Sequence, residues 1–83
     1  MEKKEIFELI VRHACTVMPM LNDHTFQPGD RFQDLGANSL DRTEILEEVL
    51  TSLDLEIPRV EIFGAKDIGA LVDVLYAAGR DEI

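Results

Sequence analysis

The chain has 83 residues, 46% of them hydrophobic and 30% charged, which is the composition of one small folded domain. Its formal net charge is −9. An acidic surface repels nucleic acid and anionic membranes, so we expect neither as a partner, and it attracts proteins with basic patches. The single cysteine, Cys15, excludes an intramolecular disulfide, and no signal peptide or membrane-spanning run is visible. We predict a cytoplasmic protein with one domain over residues 1–83.

The first helix is predicted over residues 3–17, where apolar residues recur every three or four positions. They are Ile6, Leu9, Ile10, Ala14 and Val17. Pro19 cannot continue a helix and disfavours helical backbone at the preceding residue, so we expect the helix to end near Val17. We expect Met18 and Met20 to fill the core, which is the usual role of methionine.

A long connection follows over residues 19–38. Its apolar anchors are Leu21, Phe26, Phe32 and Leu35. Such long connections are uncommon in compact domains unless they are functional, and these anchors predict that this one is held against the core. Pro28, Gly29 and Asp30 indicate a turn, and we expect Asp30 to cap a single helical turn through residues 31–33.

Three further helices are predicted. The second runs from Leu40 to about Leu53 with Ser39 as its N-cap, and its inward positions are Thr43, Leu46, Val49, Leu50 and Leu53, with Ile45 beside them. Residues 55–58 form an extended connector, and a short helix over 60–63 ends at Gly64. The last helix spans about 67–78 and ends at Gly79, with residues 80–83 frayed. The predicted fold is all-α: a small bundle of three longer helices and one short helix, with a long loop after the first.

The segment from Asp34 to Asp41 contains the strongest functional signal. It places Ser39 directly after a glycine-bearing turn and at the start of a helix, where free backbone N–H groups and the helix dipole favour a phosphate. Gly36 permits the tight turn, and we expect Ala37 to be small so that an enzyme can approach. The simpler alternative is that Ser39 only caps the helix.

Residues 34–41, Asp-Leu-Gly-Ala-Asn-Ser-Leu-Asp, resemble the Asp-x-Gly-x-Asp-Ser-Leu signature of acyl carrier proteins. Residues 53–58, Leu-Asp-Leu-Glu-Ile-Pro, are similar to a second segment of that family at the family's spacing, and the resemblance covers residues 5–78. It implies a four-helix fold of acyl-carrier type. It also implies that a phosphopantetheinyl transferase attaches 4′-phosphopantetheine from coenzyme A to Ser39. The protein would carry acyl or polyketide groups as thioesters and would not itself be a catalyst.

The resemblance also implies a docking face on the second helix. Leu40, Asp41 and Glu44 match positions that family members use for partner docking, and Arg42, Glu47 and Glu48 complete the expected docking set. The partners implied are ketosynthase, acyltransferase or HMG-synthase-like enzymes, and the free protein is expected to be a monomer. The alternative is that an acidic helix face is simply solvated.

Two departures from the family pattern bear on which carrier this is. Asn38 stands where the family usually has Asp, and Arg42 adds a positive charge to the docking helix, which favours a dedicated partner. The run from Gly36 to Ser39 favours an acyl over a peptidyl carrier. The resemblance is to polyketide carriers, and among them to the donor carriers that hold acetyl units for β-branching. A fatty-acid carrier and an unmodified interaction module are the alternatives.

Other chemistry is not expected. Gly-x-Ser-x-Gly would need glycine where Asp41 stands, and nothing in the sequence links His13 or His24 to a carboxylate and a serine as a triad. The histidines and the cysteine lack metal-ligand spacing, so no metal site is predicted.

Three apolar residues could line a space for an acyl chain or pack as ordinary core. They are Leu46, Val49 and Ile62.

Overall fold

The computed structural model describes residues 1–81, which contain four α-helices and, within those residues, no strand. Helix α1 spans Lys3–Val17, α2 spans Ser39–Leu53, α3 spans Arg59–Phe63 and α4 spans Ile68–Asp81. The prediction of an all-α bundle with three longer helices and one short third helix is confirmed. The first helix ends at Val17 as predicted, and a 3₁₀ helix begins two residues later at Pro19.

A single hydrophobic core joins the helices. Helix α1 packs against both α2 and α4, and α3 packs against α4. The helical residues that are buried are Ile6, Ile10, Ala14, Ile45, Leu46, Val49, Ile62, Ile68, Leu71, Val72 and Leu75. Ile45 is completely buried, although the sequence pattern placed it beside the inward face. Thr43 is only half-buried, and its hydroxyl donates a hydrogen bond to the Ser39 carbonyl at 2.9 Å.

The long connection between α1 and α2 is fixed to the core as predicted. It contains two 3₁₀ helices, Pro19–Asp23 and Phe32–Leu35, and each contributes a buried apolar residue, Leu21 in the first and Phe32 in the second. The predicted turn at Pro28 is closed by a 3.0 Å hydrogen bond from the Asp30 N–H to the Gln27 carbonyl.

Backbone hydrogen bonds also tie this connection to the start of α4. The Ile68 N–H donates to the Asp30 carbonyl at 2.9 Å, and the Gly69 N–H donates to the Pro28 carbonyl at 2.8 Å. A Cβ atom at Gly69 would lie 3.1 Å from the Pro28 carbonyl oxygen, so the close approach is easiest with glycine at this position. The N-terminal N–H groups of α4, which a helix cannot satisfy internally, are thereby used to hold the loop.

The predictions for Asp30 and Gly79 were wrong. Asp30 does not cap the following helical turn, because its carboxylate instead accepts the Gln27 N–H at 2.8 Å and a hydrogen bond from His24 Nε2 at 2.9 Å. Gly79 does not end α4, which continues through Arg80 to Asp81, because glycine weakens a helix interior without breaking it. Of the residues predicted to fray, 82 and 83 lie outside those that the structure describes.

The second half of the chain otherwise matches the pattern. Residues 55–58 have no regular secondary structure, and α3 follows directly after Pro58. Met18 is buried as expected, but Met20 is 72% exposed, so the predicted core role holds for only one of the two methionines.

Among residues 1–81, no helix is both long enough and apolar enough to cross a membrane.

Candidate functional site

A capping box defines the start of α2. The Asp41 N–H donates to Asn38 Oδ1 at 2.8 Å, and the Asn38 N–H donates to Asp41 Oδ2 at 3.3 Å. The N-cap is therefore Asn38, and the prediction that Ser39 is the N-cap was wrong. Asn38 has the extended backbone of an N-cap, so its side chain can turn back onto the helix. Ser39 is the first helical residue, and its hydroxyl is not used for capping.

The turn before the helix gives Ser39 its position. Gly36 has φ +93° and ψ 6°, which is left-handed backbone that side-chain-bearing residues rarely adopt. The next residue, Ala37, is buried, and its N–H donates to the Phe32 carbonyl at 3.0 Å. Ala37 is thus small because it packs in the core, and not for the reason expected from sequence, which was to leave room for an approaching enzyme.

The surroundings of Ser39 fit a covalently attached phosphate. Ser39 is exposed, and within residues 1–81 its hydroxyl has no hydrogen-bond partner. The backbone N–H groups of Ser39 and Leu40 likewise have no acceptor among those residues. Free N–H groups at the positive end of a 15-residue helix favour an anion. The site can therefore accept a phosphodiester on the serine oxygen without displacing any internal hydrogen bond.

The structure divides the predicted docking residues into free and engaged side chains. Leu40 is 72% exposed, and Glu44 is exposed without an ion pair among the described residues. Asp41 is held in the capping box. Glu47 pairs with Arg59 on α3, so it also links two helices. Leu40, Glu44 and Glu47 are spaced to lie along one face of α2, beginning next to Ser39.

Glu48, one turn after Glu44 on α2, belongs to a cluster that sequence reasoning missed. His13 Nε2 on α1 lies 2.9 Å from Ser52 Oγ, and His13 Nδ1 lies 3.6 Å from Glu48 Oε2. The connectivity is that of a Ser-His-carboxylate triad. Ser52, however, is in the last turn of α2, where the unpaired backbone groups are carbonyls and cannot stabilise an oxyanion. The cluster therefore acts as a polar link between α1 and α2.

Arg42 points toward a cavity of about 260 Å³ bounded by the second 3₁₀ helix, α2, α3 and the start of α4. Apolar side chains in its wall include Phe32, Leu46 and Ile62. Two of the three residues that could line an acyl space, Leu46 and Ile62, therefore do line a cavity. Val49 does not, because it is completely buried in the core.

Comparison with known proteins identifies the family. Residues 8–75 match the family described as phosphopantetheine attachment site. The chain is 49% identical over 76 residues to the polyketide biosynthesis acyl-carrier-protein AcpK of Bacillus subtilis (strain 168), covering 92% of this chain and 93% of that protein. It is also similar to a chain in the crystal structure of the curacin biosynthetic pathway HMG synthase in complex with an acetyl donor ACP. That match has a TM-score of 0.85 and 40% identity, over 94% of this chain and 99% of the other.

The chain belongs to the phosphopantetheine-binding family of acyl carrier proteins. Its fold is the small four-helix bundle of that family, and its cofactor is covalently attached 4′-phosphopantetheine. The resemblance read from residues 34–41 and 53–58 is thereby confirmed.

Proposed function

We propose that Ser39 carries the 4′-phosphopantetheine arm and that the protein presents acyl or polyketide groups to partner enzymes in polyketide biosynthesis. The observation that carries this proposal is the position of the Ser39 hydroxyl, exposed at the first residue of α2 while Asn38 performs the capping. If Ser39 were itself the N-cap, its hydroxyl oxygen would accept a hydrogen bond from a backbone N–H of the first turn. Modification would then have to break that capping hydrogen bond.

Attachment forms one phosphodiester bond. The Ser39 oxygen attacks the phosphorus of coenzyme A that bears the pantetheine, the hydroxyl proton is lost, and 3′,5′-ADP leaves. The N–H groups of Ser39 and Leu40 then offset the new negative charge. The rigid turn at Gly36 and the capping box hold the serine in one orientation toward the transferase. The arm, when bound, supplies a thiol that holds acyl groups as thioesters.

The arm raises the effective concentration of its cargo near each partner, and the protein's own residues do no bond chemistry in this proposal. Leu40 and Glu44 remain exposed beside Ser39 and are proposed to contact partners, with Asp41, Glu47 and Glu48 adding negative potential. Long-range attraction of this kind accelerates encounter more than it strengthens binding. Arg42 departs from a uniformly acidic face and favours a dedicated partner.

Among carriers, we propose a donor of acetyl units for β-branching. Support comes from similarity to a carrier named for polyketide biosynthesis and to an acetyl donor carrier in complex with an HMG synthase. The proposed partners are a phosphopantetheinyl transferase, an HMG-synthase-like enzyme, and the ketosynthase or acyltransferase that loads the carrier. We further propose that the whole chain acts as one monomeric carrier domain in the cytoplasm, where a reducing environment keeps the arm's thiol free.

Co-expression with a broad-specificity phosphopantetheinyl transferase, followed by intact-mass measurement, tests the attachment site. We expect a gain of one phosphopantetheinyl group that Ser39→Ala abolishes. Ser52→Ala is the matched control, since it removes another exposed serine of the same helix and should still be modified. Modification that persists in Ser39→Ala would disprove Ser39 as the attachment site. An unmodified wild type would leave the alternative of an unmodified interaction module. Acetyl transfer from the loaded protein to an HMG-synthase-like enzyme tests the donor role.

A further inference from the structure

The surface around the cavity beside α2 is basic, although the protein is strongly acidic. Three of the chain's eight basic residues line that cavity, and we call them the basic rim: Arg31, Arg42 and Lys66. Arg31 precedes the second 3₁₀ helix, Arg42 lies on α2, and Lys66 lies between α3 and α4. Only the folded bundle brings these three cations together. On a protein with a net charge of −9, the basic rim is a local reversal of sign.

Two carboxylates lie near these cations, and both already have partners. Asp34 Oδ2 accepts a hydrogen bond from Arg31 Nε at 2.9 Å, and Asp67 Oδ1, in the cavity wall, accepts a backbone N–H of α4 at 2.8 Å. Three cations against two carboxylates leave a positive excess. Neither Arg42 nor Lys66 forms an ion pair among the described residues, and Lys66 is exposed. The Lys66 ammonium is therefore free to contact another molecule.

The basic rim is separate from the acidic docking face of α2. Arg42 lies two positions from both Leu40 and Glu44, and residues two apart do not share a helix face. The aromatic ring of Phe63 lines the same cavity as the three cations and is 40% exposed. An exposed aromatic side chain bordered by charged residues has the composition of a protein–protein interface.

The position of the basic rim brings it within the contact area of a partner enzyme. Arg42 follows Ser39 by three residues, which places their Cβ atoms about 5–6 Å apart. An interface of ordinary size covers about 800 Å² of each protein. An interface centred near Ser39 therefore extends beyond the acidic face and includes residues of the basic rim.

We propose that the basic rim docks against acidic residues of the HMG-synthase-like enzyme, while the acidic face of α2 meets basic residues of the same enzyme. The inference rests on the proposed donor function, which makes that enzyme the partner. A surface with charges of both signs fixes the orientation of the complex. It also disfavours enzymes that present only basic residues, because those residues would be repelled by Lys66 and Arg42.

The test uses the sign of an electrostatic effect. Lys66→Glu makes the carrier more acidic, so a partner attracted only by negative charge should react faster with this variant. We expect the opposite: kcat/KM for acetyl transfer to the HMG-synthase-like enzyme should fall roughly 3- to 10-fold at low salt, because the enzyme's acidic residues are now repelled. The loss should shrink as the salt concentration rises, and Lys66→Gln, which only removes the charge, should cause a smaller loss.

Arg12→Glu is the matched control. It makes the same change in net charge at an exposed position of α1, a helix that does not border the cavity, so it should not slow the transfer. Circular dichroism checks that each variant is folded, and intact mass checks that each is loaded.

Transfer from Lys66→Glu that is unchanged or faster would overturn the inference. Equal slowing by Arg12→Glu would also overturn it, because net charge alone would then explain the effect. A loaded wild type that transfers no acetyl group would instead contradict the donor function itself, and the wild-type rate distinguishes that result from a failure of the basic rim.

Discussion

Asn38 and Asp41 cap the start of α2 for each other, with the side chain of each accepting the backbone N–H of the other at 2.8 and 3.3 Å. Ser39 lies between them in sequence and takes part in neither hydrogen bond. The arrangement separates two tasks that a single serine could not perform together. Asn38 stabilises the helix, and the hydroxyl of Ser39 stays available for chemistry.

Removing the cap should therefore cost more stability than removing the reactive serine. We expect Asn38→Ala to lower the free energy of unfolding by about 1 kcal/mol, because the Asp41 N–H loses its acceptor. Ser39→Ala should change it by less than about 0.5 kcal/mol. Urea unfolding of the two variants, with Asn38→Asp as the variant that keeps a capping oxygen, measures the difference. Equal losses at positions 38 and 39 would show that Ser39 contributes to capping after all.

The turn at Gly36 gives a second prediction, with an internal control. A Cβ atom at Gly36 would meet nothing within 4 Å, so Gly36→Ala costs only the left-handed backbone, about 1–2 kcal/mol. Gly79 is equally open but lies in helical backbone, so Gly79→Ala should stabilise by up to about 1 kcal/mol. Thermal unfolding should thus move in opposite directions for the same chemical change. Destabilisation by both would contradict the backbone argument.

Asp30 gives a prediction on acid stability. The Gln27 N–H, and after it His24, hold the pKa of the Asp30 carboxyl below its usual 3.8. A carboxyl with a lowered folded-state pKa contributes stability above pH 3.8 that is lost as the pH falls below it. The stability advantage of the wild type over Asp30→Asn should therefore be constant at neutral pH. It should shrink as the pH falls below 3.8.

Urea unfolding from neutral pH downward measures this difference. His24→Ala should reduce the advantage only in part, because the Gln27 N–H, the larger cause of the lowered pKa, remains. A wild-type advantage that does not change with pH would show that Asp30 titrates alike in the folded and unfolded chain.

Glu44 provides the cleanest test of the docking face. Charge reversal at Asp41 would also break the capping box, and reversal at Glu47 would break its pair with Arg59. Glu44→Lys alters only the electrostatic potential of the docking face. We therefore expect roughly a 2- to 10-fold slower reaction with the partner at low salt, and the difference should shrink as the salt concentration rises. Glu8→Lys on α1 makes the same change in net charge away from the docking face. Equal slowing by both variants would point to net charge alone.

The sequence pattern predicted the elements whose cause is local. The apolar spacing of Ile6, Ile10 and Ala14 is enough to specify α1, and Pro19 is enough to end it, because both act through neighbours a turn away. The run around Ser39 also identified the family. Stop signals were less reliable. Gly79 indicated a helix end, yet α4 continues to Asp81, because one glycine costs a helix only about 1 kcal/mol.

Choices between competing partners could not be predicted in this way. Both Asn38 and Ser39 are good caps, and only the backbone geometry selected Asn38. Asp30 could have capped a helical turn, but the fold brought His24 and the Gln27 N–H to its carboxylate. The link between His13 and Ser52 spans 39 positions, and no local spacing indicates it.

The sequence alone determined the helices, the family and the serine to be examined, because each depends on residues within a few positions of one another. Tertiary structure alone decided which polar groups are satisfied. Among residues 1–81, the Ser39 hydroxyl and Arg42 Nε have no hydrogen-bond partner. Hydrogen-bond partners are settled only when separate segments pack together, and packing is a property of the whole bundle.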